Sequence, residues 1–268
     1  MHRKAIAAAA GLLATSLAAS LAAIAPPGLA AVTKASARDD FYAAAAVIED
    51  GFGPPAEHRV PTAAAVAAVA RMHTAMAAFG TAAFPVDGKA TFLDVCGPVS
   101  NLPMQFAVAG GDPATAADPA SNATAVVLLE NANLQKYQEP LVMMLADNVK
   151  CTALHMPWVE QYWQSQASHS AQDLSDAHQM RDGYAQMLLG ATGAGMEADL
   201  RPANRALPIN AAARYADGVV TNLSLAQRHQ IQAQLDATPG LAKTWPTQYA
   251  AITKALARTD CNALCAVP

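Results

Sequence analysis

The chain lacks nearly every local signature that announces a chemistry. It contains no Gly-x-Ser-x-Gly, no His-Glu-x2-His, no glycine-rich loop ending in Lys-Ser or Lys-Thr, no Ser-x2-Lys and no Cys-x2-Cys. These absences remove the local marks of nucleophile-elbow hydrolases, zinc peptidases, P-loop nucleotide binders, Ser-Lys acyl-enzymes and dithiol oxidoreductases. Gly193-Ala194-Gly195 has neither a third glycine nor a strand before it, so it is no dinucleotide fingerprint. Aromatic residues make up 6% of the chain, and runs of β-branched residues are few, which leaves little material for a sheet. No internal repeat and no sustained heptad pattern is present, which excludes solenoids and long coiled coils. Past the N-terminal region no apolar run approaches membrane-spanning length, residues 126–129 being a four-residue patch in polar surroundings.

What is present begins at the N-terminus. Arg3 and Lys4 precede an uncharged, alanine-rich run over residues 5–24, followed by Pro26-Pro27-Gly28 and small residues. That order of cations, apolar stretch and small-residue cleavage site is the order of a secretory signal peptide. The expected cut follows Ala30 or Ala31, giving a signal over residues 1–30 and a mature domain over residues 31–268. No cysteine lies near the cut to accept lipid, so the expected product is released to the periplasm or the exterior, with no membrane association after cleavage. Losing Arg3 and Lys4 moves the formal charge from −4 to −6. A mildly acidic chain has no electrostatic reason to seek nucleic acid. The alanine-heavy composition points to a GC-rich bacterial source, so the acceptor tripeptides at Asn122 and Asn222 are expected to carry no glycan.

The four cysteines, Cys96, Cys151, Cys261 and Cys265, all fall in the mature part. An even count in an exported chain reads as two disulfides. Spacing does not choose among the three possible pairings. The expected pairs are Cys96–Cys151 and Cys261–Cys265, and the second requires the last residues to leave helix. The other two pairings would tie the C-terminal tail to the body.

Alanine loses no side-chain entropy in a helix, and its runs at 43–46 and 63–65 favour that state. The clearest period places Val69, Met72, Met76 and Phe79 on one stripe. Proline and glycine punctuation gives about eight helices in a single-domain, mainly α bundle. Pro140 and Pro157 each read as a helix start, and Gly190 as a helix stop. Ser224 with Gln227 reads as a capping box. Two Pro/Gly-rich segments, about 84–120 and 191–208, read as long irregular loops, with a small hairpin possible at 91–109.

Three functional readings follow. The leading one is a non-catalytic binding protein for a protein or small-molecule partner, with recognition carried by the two loops and no cofactor expected. The second is a hydrolase-type enzyme using His169 and Asp173, four residues apart, with the carboxylate orienting the imidazole. Ser170 and Asp173 serve equally as the cap and dipole partner of a helix start. The third is a copper or other metal carrier through Met72, His73 and Met76, since thioether and imidazole suit copper(I). Methionine at that spacing also serves as core filler.

Overall fold

The computed structural model describes residues 36–54, 57–112 and 123–267, with side chains of the last range from residue 129 onward. The signal-peptide expectation at residues 1–30 lies outside them, as does Asn122. The described chain is mainly α and forms a single-domain bundle, 74% helical, with no strand and nine helices of seven or more residues among the described residues.

The elements are α1 (Ala37–Phe52), α2 (Ala63–Met76), a short α3 (Lys89–Thr91), a π-helical turn (Phe92–Cys96) and α4 (Gly97–Val108). There follow α5 (Ala123–Lys136), α6 (Gln138–Ser165), α7 (Ala171–Met196), α8 (Pro202–Val220), α9 (Leu225–Asp236), a single turn α10 (Leu241–Thr244) and α11 (Pro246–Leu256). Capping boxes open α1 at Ser36 with Asp39, α7 at Ser170 with Asp173 and α9 at Ser224 with Gln227. Each satisfies amide groups that a helix start leaves without partners.

The 28 residues of α6 form the axis of the fold, about 42 Å long at the usual rise. One of its faces puts Met144 and Cys151 into a cluster with Phe41, Ile48, Met72 and Phe106 from α1, α2 and α4. The other puts Val149 and Ala153 into a second cluster with Leu188, Ile209, Val219 and Ile231 from α7, α8 and α9. Burial of these apolar faces is the main stabilising term, at about 25 cal/mol per Å² removed from water.

The proline and glycine punctuation misled in three places. The hairpin expected at 91–109 is helix instead. Val95, Val99, Leu102 and Phe106 recur at helical spacing and are all buried, so the tertiary packing holds this segment helical with Pro103 inside it. Most of the loop expected at 84–120 is therefore regular, and residues 113–122 lie outside the description. The loop expected at 191–208 shrinks to 197–201, because α7 runs on through Gly190, Gly193 and Gly195 to Met196. A Cβ at Gly195 would lie 2.8 Å from the Ile209 side chain, so this glycine marks a close approach of α7 and α8 rather than a stop. Finally, Pro157 does not start a helix but sits inside α6. It removes the amide that would have bonded the Ala153 carbonyl. Gly218 of α8 turns a Cα–H toward that oxygen, since a Cβ in its place would lie 3.1 Å away.

The two disulfides are Cys96–Cys151 and Cys261–Cys265, and no free cysteine remains. The first ties the π-helical turn to the middle of α6. The second closes a tight turn in the non-helical tail after α11. No helix among the described residues is long and apolar enough to cross a membrane.

Candidate functional site

His73 and Asp147 come together from helices 74 residues apart in sequence. Asp147 shares the inward stripe of α6 with Met144 and Cys151, and it is only 3% exposed. A carboxylate at such a position needs a partner, because an unpaired buried charge is strongly disfavoured. His73, on the flank of the apolar stripe of α2, supplies one: its Nδ1 lies 2.8 Å from Asp147 Oδ1. With the carboxylate ionised, Nδ1 carries the proton and donates it, which leaves Nε2 as the acceptor of the neutral ring. The hydrogen bond raises the His73 pKa above its usual 6.5, against the opposing effects of burial and the nearby Lys150. Burial raises the Asp147 pKa, while His73 and Lys150 pull it down. Asp147 Oδ2 is buried with no hydrogen-bond partner among the described residues.

Lys150, one turn along α6, donates from Nζ to the carbonyls of Met76 and Ala77 at 2.5 and 3.2 Å. It thereby adds a second donor to the Met76 carbonyl, which already accepts from the Phe79 amide, and bonds that of Ala77, complementing the negative dipole at the end of α2. An ammonium has three protons, so one remains for the cleft. Burial lowers the Lys150 pKa, Asp147 raises it, and Arg214 lowers it as a like charge. Arg214, from α8, is exposed, lies over the Tyr215 ring at 5.4 Å, and has no carboxylate within salt-bridge distance among the described residues. His73, Asp147, Lys150, Asn210, Arg214 and Tyr215 line a cleft of about 250 Å³, with Met76 at its edge. The cleft sits on the seam between the two apolar clusters, where α2, α6 and α8 meet. With His73 neutral, one carboxylate and two cations give it a charge of +1, and with His73 protonated +2, on a chain of net −4.

The sequence-derived candidates fall elsewhere or only partly here. Asp173 Oδ2 accepts from the backbone N–H and the hydroxyl of Ser170, both at 2.7 Å, and closes the capping box of α7. These bonds hold its pKa below the usual carboxylate range. His169 lies just before the cap, and its ring stacks on Trp163 at 3.8 Å with 9° between planes. The residues of 165–170 are mostly exposed, so the cap role describes the geometry of this pair. Ser170→Ala is expected to destabilise the protein by about 1 kcal/mol, read from the denaturant midpoint. Of the metal set, Met72 is fully buried in the α1–α2 core, Met76 is buried there too, and His73 commits Nδ1 to Asp147. Among the described residues no three His, Cys, Asp or Glu side chains gather as a metal site. Asn222 is fully buried, donates to the Gly218 carbonyl and accepts from Asn262.

Sequence reasoning missed Asp147, Lys150 and Arg214. One signal was available: Asp147 interrupts the apolar stripe of α6 midway between Met144 and Cys151. A larger cleft of about 460 Å³ lies between α7 and α9, lined by Gln179, Gln186, Gln227, Gln230 and Gln234. Its one ionisable group, Asp182, accepts from Gln227 at 2.7 Å. Size favours that cleft, but only the smaller one combines an oriented imidazole with cations that lack carboxylate partners. Comparison with protein-family models, with curated proteins and with solved structures finds no match for this chain.

Proposed function

We propose that the chain is an exported, non-catalytic binding protein that takes a small anion in the His73–Asp147 cleft. One observation carries the reading: Asp147 is occupied by His73, while Lys150 and Arg214 face the same space with no carboxylate of their own in salt-bridge distance among the described residues. Two like charges held near each other repel, and an anionic ligand relieves that repulsion. Asn210 and the Tyr215 hydroxyl supply neutral hydrogen-bonding groups at the rim. A volume of about 250 Å³ suits inorganic phosphate or a short dicarboxylate. Among the described residues no serine, threonine or cysteine lines the cleft as a nucleophile. Export, to the periplasm or beyond the cell with a cleaved leader, is supported by the two disulfides and by the order of the first thirty residues.

A second reading has a specific observation behind it. A buried carboxylate fixing the imidazole by Nδ1 leaves Nε2 poised as a general base for a bound water, the arrangement of a hydrolase-type site.

Thermal shift and calorimetry with phosphate and with C4 dicarboxylates test the first reading. The expected result is saturable binding to the wild type, with a gain of about 2.7 kcal/mol at a hundredfold excess over Kd. Arg214→Gln, an exposed change, is expected to weaken binding at least tenfold without altering the melting temperature of the free protein. A flat response to every anion overturns the anion reading. Turnover of a bound ester that disappears in His73→Gln would establish the second.

A further inference from the structure

The C-terminal turn holds a second polar centre that no role in anion binding explains. Arg228, on α9, is fully buried, and among the described residues no carboxylate lies within salt-bridge distance of it. Its Nε donates to the Leu223 carbonyl at 3.0 Å, its Nη1 to that of Arg258 at 2.7 Å, and its Nη2 to those of Thr221 and Asp260 at 3.3 and 2.9 Å. Nη2 also points at Cys265 Sγ, 3.5 Å away. Arg181, 5% exposed, donates from Nη1 to the carbonyls of Leu264, Cys265 and Val267. The acids nearby are engaged elsewhere. Asp260 pairs with Arg258, which also reaches Asp217, and Glu160 accepts from the Ala263 and Leu264 amides. A buried guanidinium satisfied only by carbonyls keeps its full charge without a counter-ion.

The two sulfurs of this disulfide are unequal. Cys261 is exposed, whereas Cys265 is 4% exposed and is the one beside Arg228. In thiol–disulfide exchange the rate depends on which sulfur is accessible and on how well the departing sulfur carries negative charge. A neighbouring arginine lowers the pKa of a thiol and so improves it as a leaving group.

We propose that Cys261–Cys265 is an exchange-competent disulfide, attacked at Cys261 and departing through Cys265. An incoming thiolate from a dithiol, either a reductant or a client protein, attacks Cys261 Sγ and forms a mixed disulfide there. The electron pair of the broken S–S bond leaves on Cys265 Sγ, which the Arg228 guanidinium receives as a thiolate. The second thiol of the dithiol, having lost its proton to water, then attacks the mixed disulfide. Cys261 leaves as a thiolate that is protonated by water. In sum the dithiol is oxidised to a disulfide, and Cys261 and Cys265 are reduced. Cys96–Cys151 is built the opposite way: both residues are buried at 1% and 0% exposure among apolar side chains, and neither is open to attack.

The full-length oxidised protein, exposed to limiting dithiothreitol or glutathione, quenched and peptide-mapped, reads this directly. Cys261–Cys265 is expected to open about 100-fold faster than Cys96–Cys151, and glutathione is expected on Cys261 alone. Exposure by itself would give the rate difference, so a second readout isolates the arginine. After selective opening, ultraviolet thiolate absorbance is expected to show one thiol ionised below the usual value of about 8.5. Arg228→Lys should keep most of that thiolate. Arg228→Gln should lower its fraction at neutral pH about tenfold. If the Gln variant fails to fold, the wild-type titration and the Lys variant still decide. Glutathione on Cys265, equal opening of the two disulfides, or two thiols both titrating near the usual value would each overturn the proposal. Release of the tail on opening would give that last result.

Discussion

Replacing Cys96 and Cys151 together by alanine is expected to lower the unfolding free energy by about 4 kcal/mol, with the Cys261–Cys265 bond left intact. The bridge spans a sequence separation of 55. Closing a loop of that length in the unfolded chain removes conformational entropy, and the loss of that constraint is the larger part of the effect. A smaller part is local. Cys96 ends the π-helical turn and leads into α4, a proline-containing helix whose register depends on burying Val99, Leu102 and Phe106. Without the bridge, α4 must hold its place on α6 by apolar packing and the hydrogen bond from the Ser100 hydroxyl to Asn148 Oδ1. Urea unfolding by circular dichroism is the check, with the wild type and the double variant compared at equal slope. A change under about 1 kcal/mol would mean that the unfolded chain keeps these segments together without the bond.

His73→Ala is expected to cost about 3 kcal/mol near neutral pH. The change strands the Asp147 carboxylate at 3% exposure with neither oxygen bonded, since Oδ2 already has no partner among the described residues. The pH dependence has a definite sign. His73 titrates higher in the folded protein than its usual 6.5, so its stabilisation is complete below that value and fades as pH rises through the raised one. Asp147 also titrates higher than its usual 3.8, because burial penalises its charge. Its burial therefore destabilises the protein above the usual value, and the His73 partner offsets this. The gap between wild type and His73→Ala should thus be widest where Asp147 is ionised and His73 protonated. It should narrow toward alkaline pH and again under strong acid. Asp147→Asn removes the cause on both sides and should bring the His73 pKa back down, which NMR titration of the imidazole reads. A pH-independent gap would contradict the ion-pair description.

Composition and local pattern carried the fold class, because both act through nearest neighbours. Alanine runs, the Val69–Met76 stripe, the Ser224–Gln227 box and the parity of the cysteines needed no tertiary information. The failures at Pro157, Gly190 and residues 91–109 share one cause. Local breakers were overridden by long-range packing: Gly218 against the Ala153 carbonyl, Gly195 against Ile209, and the buried face of α4 against its neighbours. The candidate site was legible only in part. His73 stood out beside Met72 and Met76, but its partner lies 74 residues away, on a helix whose interrupted stripe marks a buried acid without marking what it meets. Arg214 and Arg228 looked alike in sequence. In the fold one is exposed over a cleft, and the other is buried among carbonyls beside a sulfur. His155 shows the same limit: it lies one turn from Cys151, fully buried against Phe79, Phe92 and Trp158. Burial pushes its pKa down to about 4, so the apolar surroundings keep it neutral.

The role proposed for the cleft is binding of a small anion by Lys150 and Arg214 beside the His73–Asp147 pair. It is tested by calorimetric titration of sulfate and of the C4 dicarboxylate fumarate, both of which stay dianionic throughout, into the wild type and Arg214→Glu, each on both sides of the His73 titration. Binding to the wild type is expected to be at least tenfold tighter on the acidic side, where protonation adds a charge, and absent from Arg214→Glu at either pH. Equal affinity of the two proteins, or wild-type binding that tightens as His73 loses its proton, would contradict it.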